Sequence, residues 1–193
     1  MDNSGSMYDD ESKMMKIDLA KKFISELVKI ANFTQNGSHG ALLRFSDENL
    51  SNEDMLEVKF SDQLDLNSYA EAINRTIEKG SGPGGTNIIN ALDVSLDRIF
   101  QTSSGMREDA IKVAVLITDG DDGKSGREYT ERKELFKNRK IKILAVGLAD
   151  TDDENLKELV QSSEHFFKAD TFEDLIGNVT EVIGALICEG IIV

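Results

Sequence analysis

The sequence predicts an α/β fold: an open, mostly parallel sheet, covered by helices on both faces, with one half-exposed edge strand. Three observations carry this reading. Val113–Ile117 and Ile141–Val146 are near-continuous aliphatic runs, as strands buried on both faces require. Segments with apolar residues at helical spacing alternate with these strands along the chain. Strands alternating with helices imply right-handed crossovers and a parallel sheet.

Each element follows in order. Ile17, Ala20, Phe23, Ile24, Leu27, Val28 and Ala31 place an amphipathic helix over 10–31. Ala41–Phe45 is a short apolar strand, and Leu56, Val58 and Phe60 alternate as an edge strand does. Tyr69, Ala72, Ile73, Thr76 and Ile77 mark a helix that stops at Lys79-Gly80. After the only proline, Pro83, a helix carries Ile88, Leu92, Ser95, Leu96 and Ile99. A mostly solvated helix spans Glu128–Arg139, and Thr151 with Glu154 forms a capping-box pattern before Leu156 and Leu159. Phe166-Phe167 opens a last strand, and Thr171 with Asp174 caps a helix striped by Phe172, Leu175, Ile176, Val179, Val182, Ile183 and Leu186. No repeat or linker divides the chain, so 193 residues read as one domain.

In such sheets ligands gather at the carboxyl ends of the strands. Three segments belong there: Asp2-Asn3-Ser4-Gly5-Ser6, Gly84-Gly85-Thr86-Asn87 and Ile117-Thr118-Asp119-Gly120. Their oxygen side chains, on Asp2, Ser4, Ser6, Thr86 and Asp119, suit a hard divalent cation, which prefers about six oxygens. Two aspartates neutralise the double charge, and three hydroxyls add neutral donors. An ion held this way stays electrophilic toward a carboxylate from outside. No histidine or cysteine stands in these segments, which disfavours zinc and copper.

On these residues the chain resembles a von Willebrand factor type A domain, the module shared by integrin inserted domains, collagens and matrilins. Asp2, Ser4 and Ser6, then Thr86, then Asp119 match the order of its metal-ion-dependent adhesion site. The resemblance spans nearly the whole sequence. It implies a Rossmann-like, doubly wound sheet with one antiparallel edge strand. It also implies that both serines and the threonine ligate Mg²⁺ or Mn²⁺, with Ca²⁺ as a further option, and that the aspartates do so directly or through water. The implied partner is a matrix or cell-surface protein that presents Asp or Glu to the ion. The expected function is therefore non-enzymatic, cation-dependent protein binding or adhesion. An intracellular assembly subunit of an ATPase-type complex is the alternative, and a metal-dependent hydrolase ranks last because no general base stands beside the site.

Other readings fall away. A net charge of −14 opposes nucleic-acid binding, and no apolar run spans a membrane. Asp119–Gly123 fails as an EF-hand, because Lys124 holds the glycine position and Thr130 the glutamate position. The glycine-rich loop before Thr86 follows a helix, not a strand, so it is no dinucleotide fingerprint. Asp121 and Asp122 look like extra ligands but read as solvated loop acids, or as a weak contribution from outside the ligand set. Lone Cys188 reads as a structural thiol. Sequons at Asn32, Asn36, Asn49, Asn74 and Asn178 favour a secreted, extracellular setting over a cytoplasmic one.

In the family an apolar central strand leads into the metal turn, which here starts at residue 2. Read from end to start, Ile191-Ile192-Val193 runs into Met1-Asp2. The expectation is a circular permutation in which Ile191–Val193 fills the central slot beside Val115, within a monomer or across a swapped dimer. A charged Met1 amine would then lie close to the cation. The alternative is a truncated sequence whose last residues trail from the final helix.

Overall fold

The computed structural model describes residues 1–8, 15–31, 33, 37–47, 52–78, 85–120, 122–148, 151, 153–169, 171–181 and 183–184. A 3₁₀ turn, Gly5–Tyr8, precedes α1 (Lys16–Ile30), whose stripe of Ile17, Ala20, Phe23, Ile24 and Val28 is buried. β1 (Leu42–Leu43) and β2 (Leu56–Val58) pair antiparallel, with the one-turn α2 (Asn52–Met55) between them. The strand read at 56–60 ends early, because Phe60 turns into a 3₁₀ turn at Phe60–Asp62. α3 (Leu66–Glu78) and α4 (Ile88–Val94) follow, and α4 continues through wider turns at Ser95–Ile99.

The second half alternates strictly: β3 (Lys112–Thr118), α5 (Gly126–Asn138), β4 (Ile141–Leu148), α6 (Asp153–Leu159), β5 (Phe166–Ala169) and α7 (Phe172–Asp174), which extends through Leu175–Val179. The three strands form a parallel sheet in the order β3-β4-β5, with Ile117 opposite Val146. Along β4, Leu144, Val146 and Leu148 enter one core with α1 and α3, while Ile141, Ile143 and Ala145 enter another with α4, α5 and α6. Burial on both faces is what the aliphatic runs demand. The doubly wound α/β class read from the sequence is the fold observed.

Helix ends show both agreement and correction. Ser125 and Glu128 form a reciprocal capping box at α5, and Thr171 and Asp174 do the same at α7. Thr151 was expected to cap α6. Its buried hydroxyl turns inward instead, donating to the Leu148 carbonyl at 2.6 Å and reaching that of Thr118 at 3.5 Å. α5 is mostly solvated, as expected, and anchors itself through its two fully buried residues, Tyr129 and Phe136.

What positions the site is a junction at residues 1–3. The Asp2 amide donates to the Ile117 carbonyl at 2.9 Å, and the Asn3 amide donates to that of Phe45 at 2.8 Å. The Phe45 amide returns a bond to Met1 at 3.2 Å. These three residues therefore bridge the β1 side and the parallel sheet. Next to the junction the described residues border an apolar cleft of about 610 Å³ between β1 and β3, whose lining includes Val28, Phe33, Leu43, Phe100, Val113 and Val115. Ile191–Val193, Cys188, Asp121 and the sequons at Asn32, Asn36 and Asn49 lie outside the described residues. Among those described, no helix is long and apolar enough to cross a membrane.

Candidate metal centre

Asp2 is held from both sides of the sheet, so its carboxylate leaves a fixed backbone at the carboxyl end of β3. One carboxylate oxygen accepts the Ser4 amide at 2.8 Å, and the other accepts the Thr118 hydroxyl at 2.5 Å. Asp2, Asn3 and Ser4 are buried. The chain then turns tightly, with the Met7 amide on the Ser4 carbonyl and the Met7 side chain fully buried as an anchor. This turn brings Ser4 Oγ within 3.1 Å of Ser6 Oγ.

Ser6 closes the circuit by donating to Asp119 Oδ1 at 2.9 Å, across 113 residues of sequence. Asp119 leaves the end of β3 with its side chain fully buried. Its other oxygen accepts the Lys16 ammonium at 2.7 Å. Thr86 reaches the same place from the third segment: a Cβ built on Gly120 would lie 2.8 Å from Thr86 Oγ1. The glycine lets the threonine hydroxyl approach the Asp119-Gly120 backbone. All five residues expected at the site thus gather at one end of the sheet.

Three contributors were not read from the sequence as site residues. Thr118 donates to Asp2 and accepts the Gly120 amide at 3.1 Å, so it fixes both aspartate segments. Lys16 supplies a cation to Asp119. Asp122, read as a solvated acid or a weak contributor from outside the ligand set, caps α4, taking the Ile88 and Ile89 amides on Oδ2 at 3.1 and 3.2 Å. Its other oxygen accepts the Tyr129 hydroxyl at 2.9 Å and the Lys124 amide at 3.0 Å. Asn87 adds its own cap through the Asn90 amide, so the loop carrying Thr86 is pinned where α4 begins.

Electrostatics match the donors to a cation. Burial pushes the Asp2 carboxyl above the usual carboxylate range, bonds from Thr118 and Ser4 pull it back, and the Asp119 charge adds to the rise. A dication beside both carboxylates would offset that cost. Among the described residues no three His, Cys, Asp or Glu side chains cluster as a metal set; the oxygens gathered here belong to two carboxylates and three hydroxyls. That chemistry suits hard cations. The Met1 amine departs from expectation. It donates to the Leu43 carbonyl at 2.9 Å, and burial lowers it to about 5, partly offset by the Asp2 charge.

Comparison with known proteins gives the same setting. The chain is 24% identical over 174 residues to the collagen alpha-1(XII) chain of Notophthalmus viridescens, covering 90% of this chain and 18% of that one. It is 26% identical over 171 residues to human matrilin-1, covering 86% and 32%. It therefore spans about a fifth to a third of the length of these extracellular-matrix relatives. Among solved structures, proximal thread matrix protein 1 from the mussel byssus, in a form whose metal-ion-dependent adhesion site holds zinc, superposes with a TM-score of 0.79 at 18% identity. The match covers 97% of this chain and 46% of that one. The family model for the von Willebrand factor type A domain matches residues 1–182, and the chain belongs to that family.

Proposed function

We propose that this domain is a non-enzymatic, divalent-cation-dependent protein-binding module of the extracellular matrix. The observation that carries the reading is the convergence of Asp2, Ser4, Ser6, Thr86 and Asp119 from three separate segments at the carboxyl end of β3. Ser4, Ser6 and Thr86 would offer neutral oxygens, and Asp2 and Asp119 would balance the charge of Mg²⁺ or Mn²⁺. A bound dication supplies a Lewis-acidic position that an Asp or Glu of a partner protein can occupy.

The chain's own residues do the rest. Thr118 orients Asp2, Gly120 makes room for Thr86, and Asp122 fixes the start of α4. The matrix relatives and the zinc-holding byssus protein support a divalent ion and a binding role. The test is a calorimetric titration with Mg²⁺, Mn²⁺ and Zn²⁺, followed by capture of purified matrix proteins in Mg²⁺ or in chelator. Wild type should bind one ion, Thr86→Ala should bind more weakly, and capture should fail in chelator. Equal capture with and without the ion would sink the proposal.

A further inference from the structure

The geometry points to Lys16 as a built-in counter-cation of this site: it holds the ion-free centre together and competes with the divalent ion for Asp119. The inference rests on the cation-binding reading above and concerns how that site is tuned.

Lys16 is an odd choice for its place in the helix. It is the first residue of α1, where the helix dipole disfavours positive charge and favours acids. The ammonium is directed at Asp119 Oδ2, 2.7 Å away, on a carboxylate whose side chain has no exposure. Asp2, also buried, adds a second carboxylate close enough for Asp119 to affect its ionisation. Two acids gathered in a buried pocket repel, and a buried carboxylate without a counter-charge is costly. Among the described residues, Lys16 is the cationic side chain bonded to the circuit of Asp2, Ser4, Ser6, Thr118 and Asp119.

A dication seated on Asp2 and Asp119 would do the same charge balancing and would repel the ammonium next to it. The lysine can yield. Its side chain is 28% exposed, and it stands on a long flexible stem. Ion binding is thus an exchange: the Asp119–Lys16 pair opens as the divalent ion arrives. Because α1 carries the lysine, the exchange also links loading of the site to the first turn of that helix.

The consequence has opposite signs in two measurements. Lys16→Met, which keeps the stem's volume, should lower the melting temperature of ion-free protein. It should also tighten the Kd for Mn²⁺ by about fivefold, the weight of one partly exposed ion pair. Lys16→Arg should stay near wild type in both, and Lys16→Gln serves as a second neutral variant if the methionine protein folds poorly. The readouts are scanning calorimetry in chelator and titration with MnCl₂. Unchanged or weaker Mn²⁺ binding in the neutral variants, with binding still abolished by Asp119→Asn, would overturn the counter-cation role alone. Full Mn²⁺ binding by Asp119→Asn would overturn the site itself.

Discussion

Thr118 places its hydroxyl on the Asp2 carboxylate at 2.5 Å, joining two residues 116 positions apart in a buried contact at the end of β3. The same hydroxyl accepts the Gly120 amide, so one oxygen sets the geometry of both aspartate-bearing segments. Thr118→Val keeps the shape and removes both bonds. Cation affinity should fall by about 10–100-fold, the range for partners that orient a ligand. Stability should fall by about 1–3 kcal/mol as a buried acceptor loses its donor. Thr118→Ser should retain most of each; calorimetric titration and urea unfolding decide.

Gly120 needs its missing side chain for space, not for backbone freedom. Its added Cβ would meet Thr86 Oγ1 at 2.8 Å and Thr86 Cβ at 3.5 Å, too close for a short side chain to absorb. Gly120→Ala should therefore weaken cation binding by about tenfold, while far-UV circular dichroism stays that of wild type. An alanine variant that binds the ion normally would show that the Thr86 hydroxyl plays no part.

Arg44 and Glu57 form a nearly buried pair at 2.8 Å, with side-chain exposures of 11% and 10%. The guanidinium also donates to the Asp54 carbonyl at 3.1 Å. Arg44→Ala strands the carboxylate away from that partner. The loss should be about 2–3 kcal/mol, below the 3–5 of a fully buried pair because both ends keep some solvent. Arg44→Met with Glu57→Met should recover much of it, as measured by denaturant midpoints.

The α5 capping box has a pH signature. The Ser125 amide, and then its hydroxyl, hold the Glu128 carboxyl below its ordinary value. A depressed acid stabilises the fold above its unfolded value of about 4.3, and that contribution is lost as pH falls through the lower, folded value. Glu128→Gln should therefore flatten the acid side of the stability curve. Urea midpoints at neutral pH and well below pH 4 give the comparison, and equal slopes in the two proteins would refute it.

Legibility in the sequence followed the range of the interaction. β3 and β4 were plain because burial on both faces forces aliphatic residues at nearly every position, and α1 was plain because its buried stripe is periodic. The placement of the five oxygen residues at one end of the sheet was legible because glycines and short polar residues mark turns at strand ends. The Lys16–Asp119 bond spans 103 residues and leaves no periodic trace. Asp122 looked like any loop acid, because its role as cap belongs to a helix that starts 34 residues earlier. Thr151 fitted a local capping pattern, yet the sheet offered its hydroxyl buried carbonyls to satisfy.

The junction at residues 1–3 bears on how the domain would carry tension. Asp2 stands on backbone tied to Ile117 on one flank, while its neighbours Met1 and Asn3 are tied to Phe45 on the other. A pull along the strand axis at the Asp2 carboxylate loads those bonds together, in shear, instead of opening them one after another. The anchorage point of the proposed partner is thus rooted in the sheet itself and not hung from a surface loop. Under the proposed function, mechanical strength at this end of the molecule would be set by strand pairing as much as by the chemistry of the ion.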